Sequence, residues 1–247
     1  MTGLLVAIQF LTRVPLPVRI DLATGAMGSS MRWFPLVGAA IGGVVAAADL
    51  VLAPLVGLEV RSVLLVVLLA AITGGLHLDG LMDSCDGLLA FTTPERRLEI
   101  MADSRVGSFA IVGLATSLLL KYAAIQAIPL ALRPPAFVAM GALSRWAMVY
   151  ATVLWPAARI EGLGHAYKQR AGRAELLWAT VLAIVAVVPL HIVGLAALAI
   201  TLLIASVLAR YAVAKIGGLT GDVYGAISEA VEIGVAIALP PLARGML

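Results

Sequence analysis

An all-α polytopic membrane bundle, with about seven transmembrane helices and short interfacial helices, is the fold class that three features of the sequence predict. Of the 247 residues, 62% are hydrophobic and only 13% charged, and the mean hydropathy is +1.06. The apolar residues fall into runs of roughly 16 to 24, the length that crosses a hydrocarbon core of about 30 Å at 1.5 Å per residue. Pro, Gly and charged clusters separate the runs. No internal repeat, low-complexity tract or flexible linker divides the chain, so residues 1–247 are expected to form a single integral membrane domain.

Taken in order, the amino-terminal stretch is apolar but its run is followed by Arg13, whereas a signal peptide has its basic residue in front; an interfacial or re-entrant helix is expected. The first span fits 33–56, rich in Gly and Ala that let helices approach closely. The second starts near Arg61 and carries its apolar run to Leu76, so the acidic stretch after it is expected at the membrane face, as an extension of the same helix. Pro94 suits the first turn of a short helix capped by Thr92 or Thr93. Further spans fit 109–132, 136–155, 176–192, 193–214 and 223–242. Lys and Arg concentrate before the first span, around 96–105, in 157–175 (Arg159, Lys168, Arg170, Arg173) and at Arg210 and Lys215, with Arg244 after the last span. That alternation predicts a cytoplasmic amino terminus and an outer carboxyl terminus. The segments 79–105 and 215–232 then emerge together on the cytoplasmic side. The net charge of +3 contains no basic tract, which argues against nucleic acid. A lone cysteine, Cys85, excludes an intrachain disulfide and reads as a small buried hydrophobe.

The stretch TGGLHLDGLMDSCDGL at 73–88 holds the strongest chemical signal. Asp79, Asp83 and Asp86 are spaced i, i+4, i+7, which puts three carboxylates on one helical face. Each would cost about 2.5 to 3.5 kcal/mol at a bilayer centre, and mutual repulsion adds to that. Three readings are open: solvated acids at a helix end, a proton or sodium site of a transporter, or an oxygen-only site for a hard divalent cation serving phosphate chemistry. In MADSRVGS, Asp103 either forms a surface ion pair with Arg105 or joins the metal shell while Arg105 holds phosphate. Arg96 and Arg97 are phosphate contacts or membrane-interface anchors. His77 is a general base, a partner of the metal ligands or an interface residue. In GGLTGDVYGAISEAVE, Gly218 and its neighbouring glycines could bring backbone N–H groups to a phosphate, and Asp222 and Glu229 share a helical face. Glu229, Glu232, Lys121 and Arg145 sit inside apolar spans, so each is expected to pair or to bind substrate. His165 and His191 read as neutral surface residues.

These motifs together resemble the cobalamin synthase family of adenosylcobinamide-GDP ribazoletransferases. The resemblance rests on FLTRVPLP (10–17), FPLVG (34–38), GGLHLDGLMDSCDGL (74–88), RRLEIMADSRVGS (96–108) and GGLTGDVYGA (217–226), which recur in order over nearly the whole chain. It implies a multi-pass enzyme of the bacterial inner membrane with its site on the cytoplasmic side. The implied reaction is Mg²⁺-dependent and joins adenosylcobinamide-GDP to α-ribazole or its 5′-phosphate, releasing GMP. By position, the resemblance puts the family's acidic motif on Asp79, Asp83 and Asp86, its second acid on Asp103 and its late motif on Gly218, Asp222 and Glu229, with metal-binding and catalytic roles for the four aspartates and substrate contacts for the late motif. The residues themselves add His77 as a catalytic candidate and Arg105, Arg96, Arg145 and Lys215 as candidate substrate contacts. Met82, Leu219 and the pair Phe109–Ala110 depart from the family pattern. The partners implied are the two substrates and the lipid bilayer, without nucleic acid; a homo-oligomer is left open. A lipid-acting CDP-alcohol phosphotransferase is the nearest alternative, but its DG-x2-AR pattern is absent. A cation-coupled transporter is the other, and it should hold its acids near the midplane on broken helices.

Overall fold

The computed structural model describes residues 2–16, 26–158, 167–168 and 171–243. The expected loop residues Arg159, His165 and Arg170, together with Pro17 and Arg244, lie outside them. The described chain is helical throughout: α1 (Thr2–Leu11), α2 (Ala26–Ser30), α3 (Phe34–Leu52), α4 (Leu58–Thr73), α5 (Leu76–Leu89), α6 (Pro94–Met101), α7 (Ser108–Ala127), α8 (Arg133–Leu154), α9 (Arg173–Val187), α10 (His191–Ile216) and α11 (Gly221–Ala243). Among the described residues no strand forms, and one parallel bridge joins Ala157 to Leu219.

Five helical stretches are long and apolar enough to cross a membrane, and the bent pair α4–α5 makes a sixth. The expectation of about seven treated 176–192 and 193–214 as separate spans; the continuous stretch Arg173–Ile216 breaks close to that boundary. A 3₁₀ turn at Val188–Leu190 and His191 at φ 51° interrupt it. Unbroken, 44 residues would reach about 66 Å. Instead Thr180 and Ser206 bond to Trp146 and Tyr150, one turn apart on α8, so the two arms pass the same level in opposite directions.

The centre of the bundle is α8 and α11, whose most apolar windows are 78% and 72% buried. Small residues allow the closest crossing: a Cβ on Gly38 of α3 would run into the Gly141 carbonyl of α8, and one on Gly42 into that of Phe137. At the end of the bundle where α4 begins, Asp49 of α3 pairs with Arg61 of α4 at 3.1 Å and with Arg133 of α8 at 3.4 Å. At the other end the chain departs from the expected continuous helix. Gly74 and Gly75 both take left-handed conformations, φ 63° and 71°, which residues with a Cβ seldom adopt. They end α4 and restart the helix at 90° to it. The acidic segment is therefore a separate helix, α5, packed across α11 and α7.

Candidate active site

The buried face of α5 carries His77, Gly80, Ser84, Gly87 and Leu88. Gly80 and Gly225 remove the bulk that would separate α5 from α11: a Cβ on the first would lie 2.8 Å from the Asp222 carbonyl oxygen, and one on the second 3.2 Å from that of His77. With that face committed, Asp79 projects as an exposed residue and Asp83 and Asp86 are half-buried. All three line one cleft of about 300 Å³, with Met82, Met101, Ala102, Asp103, Ser104, Arg105, Val106 and Ala110. The i, i+4, i+7 spacing thus places the carboxylates on a common wall, and the turn after α6 closes the other side with Asp103.

Asp86 and Asp103 each have partners among the described residues. The Gly107 and Ala110 amides donate to the Asp86 carboxylate at 2.7 and 2.9 Å. Those N–H groups belong to the first turn of α7, which has no carbonyls of its own to receive them, so Asp86 caps α7 from another helix. Arg105 donates to Asp103 from Nη2 at 2.6 Å, and from Nε and its amide at 3.0 Å. The Arg105 side-chain and backbone hydrogen bonds hold the Asp103 carboxyl at about 2. Among the described residues, no three His, Cys, Asp or Glu side chains stand close enough to hold a metal ion by themselves.

A second set of acids lies inside the bundle. Lys121 Nζ of α7 donates to Glu229 and to Glu232 of α11, each at 2.7 Å, and Arg145 of α8 pairs with the other oxygen of Glu232. Arg145 Nη2 lies 3.4 Å from His77 Nδ1. Because a guanidinium only donates, Nδ1 accepts and the His77 proton resides on Nε2. His77 is 1% exposed and does not line the cleft, which leaves it poorly placed as a base for a substrate there.

The remaining candidates have separate local settings. Arg96 pairs with Glu99 on an exposed surface of α6. Arg97 is buried and closes the carboxyl end of α5, donating to the Gly87 and Leu88 carbonyls at 3.1 and 2.5 Å. Thr93 caps α6 as expected, accepting from the Arg96 amide, with Pro94 in the first turn. Lys215 stands over the Tyr211 ring at 5.5 Å. Gly218 is buried where a Cβ would come within 2.5 Å of the Ala157 carbonyl carbon, so its missing side chain serves the close approach of the loop after α8. Asp222 opens α11 and accepts from Thr220 at 3.1 Å. Cys85 is half-buried against Gly113 of α7. The pairings of Glu232 had no signal in the sequence beyond the expense of a charge in an apolar run, and the capping by Arg97 had none.

The cobalamin-5-phosphate synthase family matches residues 3–240. The chain belongs to that family. Relatives of the cobalamin-5-phosphate synthase family, each named adenosylcobinamide-GDP ribazoletransferase, align over almost their whole length. The chain is 42% identical to the one from Synechococcus elongatus over 94% of this chain and 93% of that protein. It is 38% identical to the one from Roseiflexus sp. over 97% and 89%, and 38% identical to the one from Desulforamulus reducens over 94% and 93%. No solved structure matches the chain.

Proposed function

We propose that the chain is an adenosylcobinamide-GDP ribazoletransferase, joining adenosylcobinamide-GDP to α-ribazole or its 5′-phosphate with release of GMP. The observation that carries this reading is the cleft. In a chain matching the family end to end, the acidic wall of α5 and the Asp103–Arg105 turn face one space at the end of the bundle.

The donor set fits Mg²⁺, which is usually held by one or two carboxylates with water and substrate phosphates completing its shell. Asp79 and Asp83, one turn apart on the cleft wall, are the residues that would hold it, with Asp86 and Asp103 lining the same cleft. The ion would neutralise charge on the diphosphate as GMP leaves. Arg105 offers fork-shaped donors to the same oxygens from the rim. With His77 turned to Arg145, a cleft carboxylate is left as the group to take the proton from the ribazole hydroxyl. We place the cleft on the cytoplasmic face of the bacterial membrane, since Arg96, Arg97, Arg105 and Lys168 gather at this end. A transporter is disfavoured because the interior acids are each matched by a cation.

Asp83→Asn protein in proteoliposomes should release GMP from adenosylcobinamide-GDP at least about 100-fold more slowly than wild type, with an unchanged melting temperature. Near-normal turnover would remove Asp83 from the chemistry.

A further inference from the structure

At the start of α5, one basic residue stands apart from the ion pairs of the bundle. Arg13 follows α1, and its backbone is fixed there: the Thr12 hydroxyl donates to the Ile8 carbonyl at 2.7 Å, and the Arg13 amide to the Ile72 carbonyl of α4 at 2.8 Å. Its side chain crosses the elbow between α4 and α5. The space a Cβ would need at Gly74 is taken by Arg13 itself, first by Nε, then by Cγ and Cδ at 2.6 and 2.7 Å. The φ of 63° favours glycine at 74, and the arginine stem lies in the space its missing side chain leaves. Arg13 is exposed, and no acidic side chain among the described residues pairs with it.

The elbow leads straight into the acidic wall. The Asp79 amide donates to the Gly75 carbonyl at 2.8 Å, so Asp79 is one turn into α5 and its backbone lies within about 10 Å of Gly74. From Asp79 to Asp86 the wall runs about 10 Å further, to the end where Arg105 sits. Arg105 is bound to Asp103 through two side-chain nitrogens and is the one basic side chain among the described lining residues, beside four carboxylates. Arg105 lines one end of this acidic wall, and Arg13 lies over the elbow from which the other end starts.

We propose that Arg13 is a substrate-binding residue of this site, receiving a phosphate of the bound substrates at the Asp79 end of the cleft. The proposal rests on the transferase reading above and adds a contact that reading does not contain. The phosphate belongs either to the diphosphate of adenosylcobinamide-GDP or to the 5′-phosphate of the acceptor.

The test compares wild type with Arg13→Met, which keeps the stem over Gly74 and removes the charge, and with Arg13→Lys. Steady-state GMP release is measured in proteoliposomes with α-ribazole and with α-ribazole 5′-phosphate, alongside thermal unfolding. Arg13→Met should raise KM for a phosphorylated substrate about tenfold, with kcat and Tm nearly unchanged, and Arg13→Lys should recover part of the loss. A rise for α-ribazole 5′-phosphate but not for α-ribazole assigns the acceptor phosphate; a rise for adenosylcobinamide-GDP with either acceptor assigns the diphosphate. Unchanged KM values, or a fall in kcat that tracks a fall in Tm in both variants, overturn the role of Arg13. Wild type that releases no GMP sinks the transferase reading itself.

Discussion

Glu229 and Glu232 lie inside the bundle with Lys121 and Arg145 against them, while Asp79, Asp83, Asp86 and Asp103 line a cleft whose described lining has one basic side chain, Arg105. The interior group is balanced, two cations to two anions, and its members come from α7, α8 and α11. Taking charge out of water costs several kcal/mol per ion, and only close partners offset that. The cleft group is wetter, and its described lining holds more acids than bases. Its carboxylates lean on backbone amides and one exposed arginine, an arrangement suited to receiving a cation and a phosphate together. The same residue type therefore holds helices together in one region and awaits a ligand in the other.

The largest effect that would sharpen this contrast is on the interior side. Glu232→Gln leaves Lys121 and Arg145 with one carboxylate between them, and should cost about 3–5 kcal/mol of stability, seen as an early thermal transition in detergent. The Asp83→Asn variant, by comparison, should melt like wild type; a Glu232→Gln protein as stable as wild type would break the distinction. Asp86→Asn should have an intermediate effect. The amide side chain retains one acceptor for the two amides at the start of α7, so about 1 kcal/mol of stability is lost along with turnover. Unfolding and initial-rate measurements on the same preparation would separate the two losses.

The smallest effect concerns pH. Arg105 depresses the Asp103 carboxyl from its ordinary 3.8 to about 2, so the ion pair contributes above the ordinary value and is lost as pH falls through about 2. In Arg105→Gln the Asp103 midpoint should move up toward 3.8, read from its carboxyl carbon shift by NMR. Identical midpoints in the two proteins would show that Arg105 does not hold Asp103.

Much of this was legible in the sequence, and the misses share a cause. Hydropathy located the apolar runs, and the spacing of Asp79, Asp83 and Asp86 announced a common wall. The 90° elbow was hidden because hydropathy runs through it; Gly74–Gly75 was its only trace, and two glycines in a membrane helix more often mark close packing. Partner choice was also illegible. Glu232 meets Lys121 and Arg145 across 111 and 87 residues, a matter of helix rotation that no local pattern encodes. Arg97, read as a phosphate contact or a membrane-interface anchor, closes α5, since a guanidinium serves carbonyls as readily as phosphates. The doubling-back at Val188–Leu190 shows the reverse case: hydropathy divided a helix at about the place where the chain turns.

The central claim, that the cleft acids take a divalent cation and the interior acids do not, is tested most directly by titrating Mg²⁺ into detergent-purified protein while following Tm. A site that binds the folded state should add about 2.7 kcal/mol at 100 times Kd. Wild type should melt progressively higher, Glu229→Gln should start lower yet rise by a similar increment, and Asp79→Ala should not respond. An equal Mg²⁺ response in Asp79→Ala, or a wild-type response to Na⁺ and none to Mg²⁺, would contradict it.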